Sequence, residues 1–448
     1  MAGLIISVSG LRGVIGSELD PLVAMRYAAA FVSGLPNGPV VVTRDGRATG
    51  AMLARAVHSA ITALGHDVID AGIAATPTTG VLVREAKAAG GIQVSASHNP
   101  PQYNGLKLLS GEGCVISATA GQKVLDRYNA NDITWVDHDS VGAILPAGDT
   151  LAEHARLVLA TVDVTRIRKR RFRVVLDSNR GAGSLLGQYL LKELGCDVTC
   201  LGETPDGQFE HPAEPTQENL GSVLQQVVAA NADVGFCQDP DADRLAVIDE
   251  AGRYVGEEYT VALCLDHVLR QRSGPVVTNC SSSRMSEDLA IKYGAPFHRS
   301  AVGEANVTGK MREVDAVFGG EGNGGPIDPR VGYIRDSFVG MAQILDAMAA
   351  RDKSVSELAD ELPRYAIHKT KFTIDQGKTS AILDALTNQF GDAQCDRMDG
   401  LRLDWPGKWL LVRASNTEPI VRAIAEAADL EEAQRLCEAA GRVITTTS

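Results

Sequence analysis

Three stretches of this chain repeat one grammar: a Val-rich run, a helix, a second strand, another helix, and a third strand ending in an unusual polar loop. That alternation predicts mostly parallel sheets with crossover helices and confines the chain to the α/β class. In the first stretch Pro39-Val-Val-Val-Thr43 precedes a helix over about residues 49–64, where Met52, Leu53, Ala56, Val57, Ala60 and Leu64 recur at helical spacing and Gly65 ends the run. A strand over 66–70, a helix opening at Thr76-Pro77 and the strand Gly91-Ile-Gln-Val94 complete the unit, which ends at Ser95-Ala-Ser-His-Asn-Pro100. The second runs from Arg173-Val-Val-Leu176, through a helix closed by Gly195, to Asp233-Val-Gly-Phe236 and the loop Gln238-Asp-Pro-Asp-Ala-Asp-Arg244. The third runs from Pro275-Val-Val-Thr278, through a helix over 285–293, to Ala316-Val-Phe318 and the loop Gly319-Gly-Glu-Gly-Asn-Gly-Gly325. Ligands of open α/β sheets bind beyond the carboxyl ends of strands, so three such loops can converge on one cleft. Three glycine-rich connections with no shared purpose are the other reading.

After Arg364-Tyr365 the pattern changes. Lys369-Thr-Lys-Phe-Thr-Ile374 reads as a strand, residues 379–390 as a helix, Trp405-Pro-Gly-Lys408 as a hairpin turn, Trp409-Leu-Leu-Val412 as a strand and residues 430–443 as a closing helix. This predicts a small α+β domain and a division into residues 1–150, 151–253, 254–365 and 366–448, within the two to four domains that a chain of 448 residues suggests. With 43 basic against 56 acidic residues the net charge is −13, which argues against a nucleic-acid partner. No apolar run reaches membrane-spanning length, and the opening Met1-Ala-Gly-Leu-Ile-Ile lacks the basic start of a signal peptide. The eight cysteines are scattered without a CxxC pair or zinc spacing and read as reduced, mostly buried thiols. The expectation is a soluble cytoplasmic protein.

The loops carry the chemistry. Ser97-His98-Asn99-Pro100, followed by Tyr103-Asn-Gly-Leu-Lys107, sets a hydroxyl, an imidazole, an amide and an amine around a turn where Pro100 and Pro101 forbid helix. An exposed serine there suits a nucleophile or phosphate carrier, and a desolvated Lys107 suits proton transfer. A plain Asx or Ser turn is the other reading, and Ser95 and Ser110 read as ordinary turn and strand residues. Asp239-Pro-Asp-Ala-Asp243 places carboxylates at i, i+2 and i+4 in a segment its proline keeps from being helical, so all three can face one hard cation. An EF-hand loop would put Glu250 at its twelfth position, but it requires glycine where this chain has Arg244, and Leu245-Ala-Val-Ile248 reads as a strand.

Glu321 and Asn323, in Gly320-Glu-Gly-Asn-Gly-Gly325, offer the acceptors and donors that sugar hydroxyls need, or mark a flexible turn. Arg299-Ser-Ala-Val-Gly-Glu304 is a further turn-rich segment. Between Arg413 and Arg422 lie Ser415, Asn416 and Thr417, so forked arginine donors and short hydroxyls suited to a phosphate dianion fall together, or else form a solvated turn. Arg12, between glycines in Ser9-Gly-Leu-Arg-Gly13, can face a phosphate or simply belong to a turn.

In their order along nearly the whole chain, these five segments resemble those of the α-D-phosphohexomutase family. The resemblance implies a four-domain, heart-shaped architecture of three related α/β domains and a smaller α+β C-terminal domain. It matches Ser97 to the phosphoserine, and Asp239, Asp241 and Asp243, with the Ser97 phosphate, to the magnesium ligands. Arg12, His98 and Lys107, together with Arg244, fall at basic and acid-base positions. Glu321 and Asn323 match the sugar-reading loop, and Arg413, Ser415, Asn416, Thr417 and Arg422 the distal phosphate site. The family's loop commonly has serine where this chain has Asn323; the form found here looks like members called phosphoglucosamine or phosphomannose mutases.

The implied activity is a magnesium-dependent mutase interconverting hexose 1-phosphate and 6-phosphate through a phosphoserine and a bisphosphorylated sugar, with glucosamine phosphate expected ahead of mannose or glucose phosphate. Mg²⁺ is the expected cofactor, a sugar bisphosphate the intermediate and activator, and a small phosphosugar the partner, with no nucleic acid and no membrane; monomer and homodimer both stay open. A magnesium phosphohydrolase with an aspartate nucleophile is one rival, and it leaves the Ser97 loop and the C-terminal arginines unemployed. A non-catalytic sugar-phosphate-binding protein is another, and it leaves the acid-base set unemployed.

Overall fold

The computed structural model describes residues 4–7, 10–375, 377–414 and 420–447. The repeated grammar becomes a repeated sheet. Strands Val40–Arg44, Val68–Ile73 and Gly90–Val94 run parallel, and Tyr103–Ser110 returns antiparallel beside the last of them. Strands Arg173–Asp177, Asp197–Leu201 and Val234–Gln238 do the same with the return strand Leu245–Asp249. So do Val276–Asn279, Phe297–Ser300 and Phe318–Glu321 with Gly325–Ile327. The spatial order is the same in all three units: return strand, third strand, first strand, second strand.

Parallel strands and crossover helices follow the sequence expectation, but the return strand was legible only at Leu245. It matters for the site, because each polar loop is thereby a tight reversal at the carboxyl end of a third strand rather than a crossover. The third unit also corrects a boundary: Glu321 ends a strand, where a loop from Gly319 was expected. Glycine is needed at that strand because a Cβ on Gly319 would lie 2.4 Å from the Met311 sulfur, so the helix above packs onto bare backbone.

Local sequence explains the helices that flank the first sheet. Helix Gly50–Thr62 buries Leu53, Ala56, Val57, Ala60 and Ile61 at helical spacing, while Met52, expected on that face, is partly exposed. Gly65 then takes φ +80°, a left-handed stop that glycine adopts at no steric cost. Helix Thr76–Glu85 carries Pro77 in its first turn, where the missing N–H has no intrahelical partner to lose. Strands Ile5–Ser7 and Gly10–Val14 extend the first sheet at one edge and Ile144–Pro146 at the other.

The second and third units share one hydrophobic core, filled by Phe236, Phe318, Phe338 and the apolar faces of helices Glu257–Gln271 and Ser337–Arg351. The first unit keeps its own core around Tyr27 and Phe31. The C-terminal part is an antiparallel sheet of five strands covered by helices Thr379–Gln389 and Leu430–Thr447. It docks through the fully buried Trp409, which packs with Cys280 and Leu411 and donates Nε1–H to Glu426 at 2.8 Å. Among the described residues no helix is long and apolar enough to cross a membrane.

Candidate active site

The strand Val234–Gln238 delivers Asp239, Asp241 and Asp243 at its carboxyl end. The loop curls because Ala242 adopts φ +55° and donates its N–H to the Asp239 carbonyl at 2.9 Å. A non-glycine residue held there costs about 1–3 kcal/mol, a strain typical of functional loops. The curl turns all three carboxylates inward: each is fully buried, and each offers an oxygen within 4.8 Å of the others.

The other units close over them. From the first, Lys107 Nζ donates to Asp243 Oδ2 at 2.7 Å and also bonds Asp241 Oδ2, while Thr76 gives its N–H to the Asp241 carbonyl at 2.9 Å and its hydroxyl to the carboxylate. From the third, Arg335 Nη2 reaches Asp243 Oδ2 at 2.6 Å. Burial pushes Asp239 well above the ordinary carboxylate range, and Asp243 and Asp241 add to the push. Burial acts on Asp243 in the same sense, but Arg335, Lys107 and Arg244 overcome it and hold that group below the range. Lys107 is drawn down by burial and raised further by Asp241 and Asp243, so it stays an ammonium. Asp241 Oδ1 and Asp243 Oδ1 are buried with no hydrogen-bond partner among the described residues. Two orphaned carboxylate oxygens beside a third carboxylate fit a hard divalent cation such as Mg²⁺, which prefers oxygen ligands.

Ser97 lies against this triad, and the expectation of an exposed serine is corrected. It is 1 % exposed, because Oγ is drawn onto Asp239 Oδ2 at 2.7 Å. His98 Nδ1 stands 3.4 Å from Ser97 Oγ, and its Nε2 lies 4.0 Å from Glu214 Oε1. Burial, with Arg244 and Arg12 nearby, pushes His98 down to about 2, leaving a neutral imidazole. Arg12 sits opposite Gly105 in the first sheet and approaches Asn99 Oδ1 at 3.4 Å. Arg244 donates its backbone N–H to Asp239 Oδ1 at 3.1 Å and its Nη1 to Glu214 Oε1 at 3.2 Å.

Arg335 escaped the sequence reading because no motif surrounds it. Besides Asp243, it binds Glu304 through Nε at 3.2 Å and Glu321 through Nη1 at 3.0 Å. It therefore joins the triad to the sugar-reading candidate, and explains Glu304 of the turn-rich segment. Glu321 Oε1 also accepts from Asn279 at 2.7 Å and from the Gly303 N–H at 3.1 Å. Beyond Glu321 opens a cavity of about 620 Å³, which Glu214, Arg244, Glu321 and Asn323 line on one side and Lys369, Lys371, Arg413 and Arg422 on the other. Asn323 Oδ1 is buried without a partner among the described residues. Strand register sets Lys371 opposite Arg422, and Arg422 opposite Arg413 on its other flank. Ser415, Asn416 and Thr417 lie outside the described residues.

A buried hydroxyl on one of three clustered carboxylates, beside a cavity with cations along one wall, suits a phosphoryl-transfer enzyme. The comparisons with known proteins agree. The phosphoglucomutase/phosphomannomutase family matches in four successive parts: alpha/beta/alpha domain I over residues 4–134, domain II over 152–252, domain III over 257–365 and the C-terminal domain over 380–441. The chain belongs to this family of α-D-phosphohexomutases, isomerases that work by phosphoryl transfer. A phosphoglucomutase/phosphomannomutase of Thermococcus kodakarensis is 38% identical, over 97% of this chain and 97% of that protein. A probable phosphoglucosamine mutase of Methanopyrus kandleri is 32% identical, over 97% of this chain and 96% of its own. Among solved structures, a family protein of Burkholderia thailandensis superposes with a TM-score of 0.86 at 27% identity, covering 99% of this chain and 97% of that one.

The environment of His98 makes a direct prediction. In the unphosphorylated protein its ring NMR signals should stay flat from about pH 5 to about pH 8, where an unperturbed imidazole would titrate. A midpoint near the ordinary histidine value would show that the Arg12 and Arg244 charges do not reach the ring.

Proposed function

We propose that this chain interconverts hexose 1- and 6-phosphates with Ser97 as the phosphate carrier. The observation that supports the reading is the 2.7 Å contact between the buried Ser97 hydroxyl and Asp239; a phosphoryl group carried on Oγ would then stand at the mouth of the carboxylate triad. The free hydroxyl of the sugar attacks the phosphorus of phospho-Ser97; an oxygen–phosphorus bond forms to the sugar as the bond to Oγ breaks. The bisphosphorylated sugar then turns over, and Ser97 Oγ takes the other phosphoryl group back. Asp239, Asp241 and Asp243, with the Ser97 phosphate, would hold Mg²⁺, which would supply charge neutralisation for the transferring group. Arg12 and Arg244 add fixed positive charge beside it, and the neutral His98 can donate to or accept from Oγ. Held as an ammonium, Lys107 is the proposed acid-base group: it gives a proton to Oγ as the phosphoryl group leaves and is restored by the proton that the attacking sugar hydroxyl releases.

Glu321 and Asn323 would read the sugar ring, while Arg413 and Arg422, with Ser415, Asn416 and Thr417, would grip the phosphate that is not being transferred. A sugar bisphosphate loads Ser97 and so serves as activator. The carboxylates of Glu214, Glu257 and Glu321 around the cavity favour a 2-ammonium group, so glucosamine phosphate is the proposed preferred substrate. The 38%-identical relative, named for glucose and mannose, supports the second reading, glucose or mannose phosphate. The free cysteines suit a reducing cytoplasm.

Ser97→Ala is expected to abolish turnover. Because the hydroxyl is buried on Asp239, the variant should also lose about 1–3 kcal/mol of stability, the usual effect of leaving a buried acceptor unpaired. Intact-mass analysis after incubation with a hexose 1,6-bisphosphate should add one phosphoryl group to the parent and none to the variant; near-parental kcat in Ser97→Ala sinks the mechanism. Asp241→Asn removes one charge from a site suited to a dication, and calorimetric titration should show weaker Mg²⁺ binding together with a lower kcat. Activity indifferent to both EDTA and this substitution excludes the metal role. A panel of glucosamine, glucose and mannose phosphates should give the highest kcat/KM with glucosamine phosphate, and a higher value for either neutral sugar transfers the assignment to the second reading.

A further inference from the structure

Arg47 belongs to none of the motifs above, yet its guanidinium is fully engaged beneath the Ser97 loop. An arginine offers five N–H donors in a rigid fork. Here Nε donates to Asp45 Oδ2 at 3.1 Å, Nη1 to the carbonyls of Pro100 at 2.7 Å and Tyr103 at 2.9 Å, and Nη2 to the carbonyls of Ser97 at 2.7 Å and Asn99 at 2.6 Å. The side chain is 1 % exposed. Pro100, Pro101 and the φ +49° of Ser97 keep the segment before Tyr103 out of any regular ladder; the Pro100 carbonyl also accepts the Tyr103 N–H at 3.0 Å, while those of Ser97 and Asn99 have Arg47 as their partner. Asp45 extends the clamp. It accepts from Ser95 Oγ at 2.6 Å, and Ser95 Oγ accepts the Ser97 N–H at 2.9 Å. Both the N–H and the carbonyl of Ser97 are thereby tied to the Arg47–Asp45 pair.

The second unit bears on the same guanidinium. Phe209 lies over it, 5.0 Å from its ring centroid to the guanidinium carbon. The two backbones approach so closely that a Cβ on Gly207 would fall 2.6 Å from Arg47 Cα, and one on Gly46 would fall 2.5 Å from the Arg180 carbonyl oxygen. Five residues beyond Phe209, the same segment presents Glu214 to Arg244 at 3.2 Å and to His98 at 4.0 Å.

We propose that Arg47 is a positioning residue for phosphoryl transfer: it fixes the direction of Ser97 Oγ by holding four carbonyls of its loop, and through Phe209 it ties that direction to the seating of the second unit. The proposal rests on Ser97 as the phosphate carrier. Arg47 touches no reacting atom, so its loss should appear in kcat rather than in substrate affinity.

Arg47→Lys keeps the charge but has three donors and no fork, and cannot hold four carbonyls. With Mg²⁺ present, and with rates counted per Ser97 that takes up phosphate from a hexose 1,6-bisphosphate, kcat should fall about 100-fold, the effect of a misplacement of about an ångström, while KM stays within about threefold. A merely structural arginine would lower the folded fraction and leave kcat per phosphorylated serine at the parental value, and that result overturns the proposal. If Arg47→Lys does not fold, Phe209→Leu carries the test from the other face of the guanidinium, with a kcat loss of about tenfold at unchanged KM expected and parental kcat overturning it. A parent whose Ser97 takes no phosphate overturns the mutase reading and this proposal with it; a phosphorylated parent beside a variant of parental kcat overturns this proposal alone.

Discussion

Three carboxylates buried within a few ångströms of one another repel, and each resists leaving water, at an effective penalty of about several kcal/mol per ion. The triad persists because cations from every unit converge on Asp243, Lys107 from the first, Arg244 from the second and Arg335 from the third, while Lys107 also holds Asp241, and Asp239 accepts hydrogen bonds from the Ser97 hydroxyl and the Arg244 N–H. No single unit holds the charges that balance the triad. The cluster can form only when all three are assembled, which makes it a property of the interface. Buried ion networks of this kind add little to stability compared with apolar packing, so their presence points to chemistry. The surplus acceptor capacity agrees, since two triad oxygens lack hydrogen-bond partners among the described residues while Lys107 and Arg335 are committed to other oxygens of the triad.

The return strand is what brings the loops close enough for this. A crossover would carry the chain away from the end of the third strand, whereas a reversal leaves the loop standing there with both ends anchored. Adjoining units then meet backbone to backbone. A Cβ on Gly324 of the third unit, which takes φ +81°, would lie 2.2 Å from the carbonyl oxygen of Leu245 of the second, and within the second unit one on Gly181 would lie 2.5 Å from the Pro240 carbonyl oxygen. These glycines give the carboxylate loop its close neighbours without side chains in between.

What was legible in the sequence was local. Carboxylates at alternate positions around a proline carry their meaning within five residues, and the repeated strand and helix patterns sufficed for the fold class. Contacts between residues far apart in the chain were not. Arg335 and Asp243 are 92 positions apart, and nothing near either announces the other. Ser97 read as exposed because prolines and asparagine usually mark surface turns; its partner Asp239 is 142 positions away. The third unit's last strand was read short because glycines weaken strand propensity, although here they admit Met311 against the sheet.

The C-terminal domain extends the same electrostatic logic outward. Lys371, Arg422 and Arg413 stand side by side across three neighbouring antiparallel strands, where like charges directly opposite are destabilising. Among the described residues Arg413 has Asp399 at 3.2 Å, and Lys369, a further cation on the same cavity wall, has Glu257 at 3.5 Å, so cations still outnumber their partners along the row. A sheet selected for stability alone would alternate signs there. The row becomes favourable when a dianion lies against it, and the opposite wall, with Glu321 and an Asn323 oxygen unpartnered among the described residues, is acidic and polar where this wall is basic. A ligand that is anionic at one end and hydroxylated or cationic in the middle satisfies both walls at once. A sugar phosphate has that charge distribution, and on the proposed reading either of its ends would be presented to Ser97 while the other rests on the row.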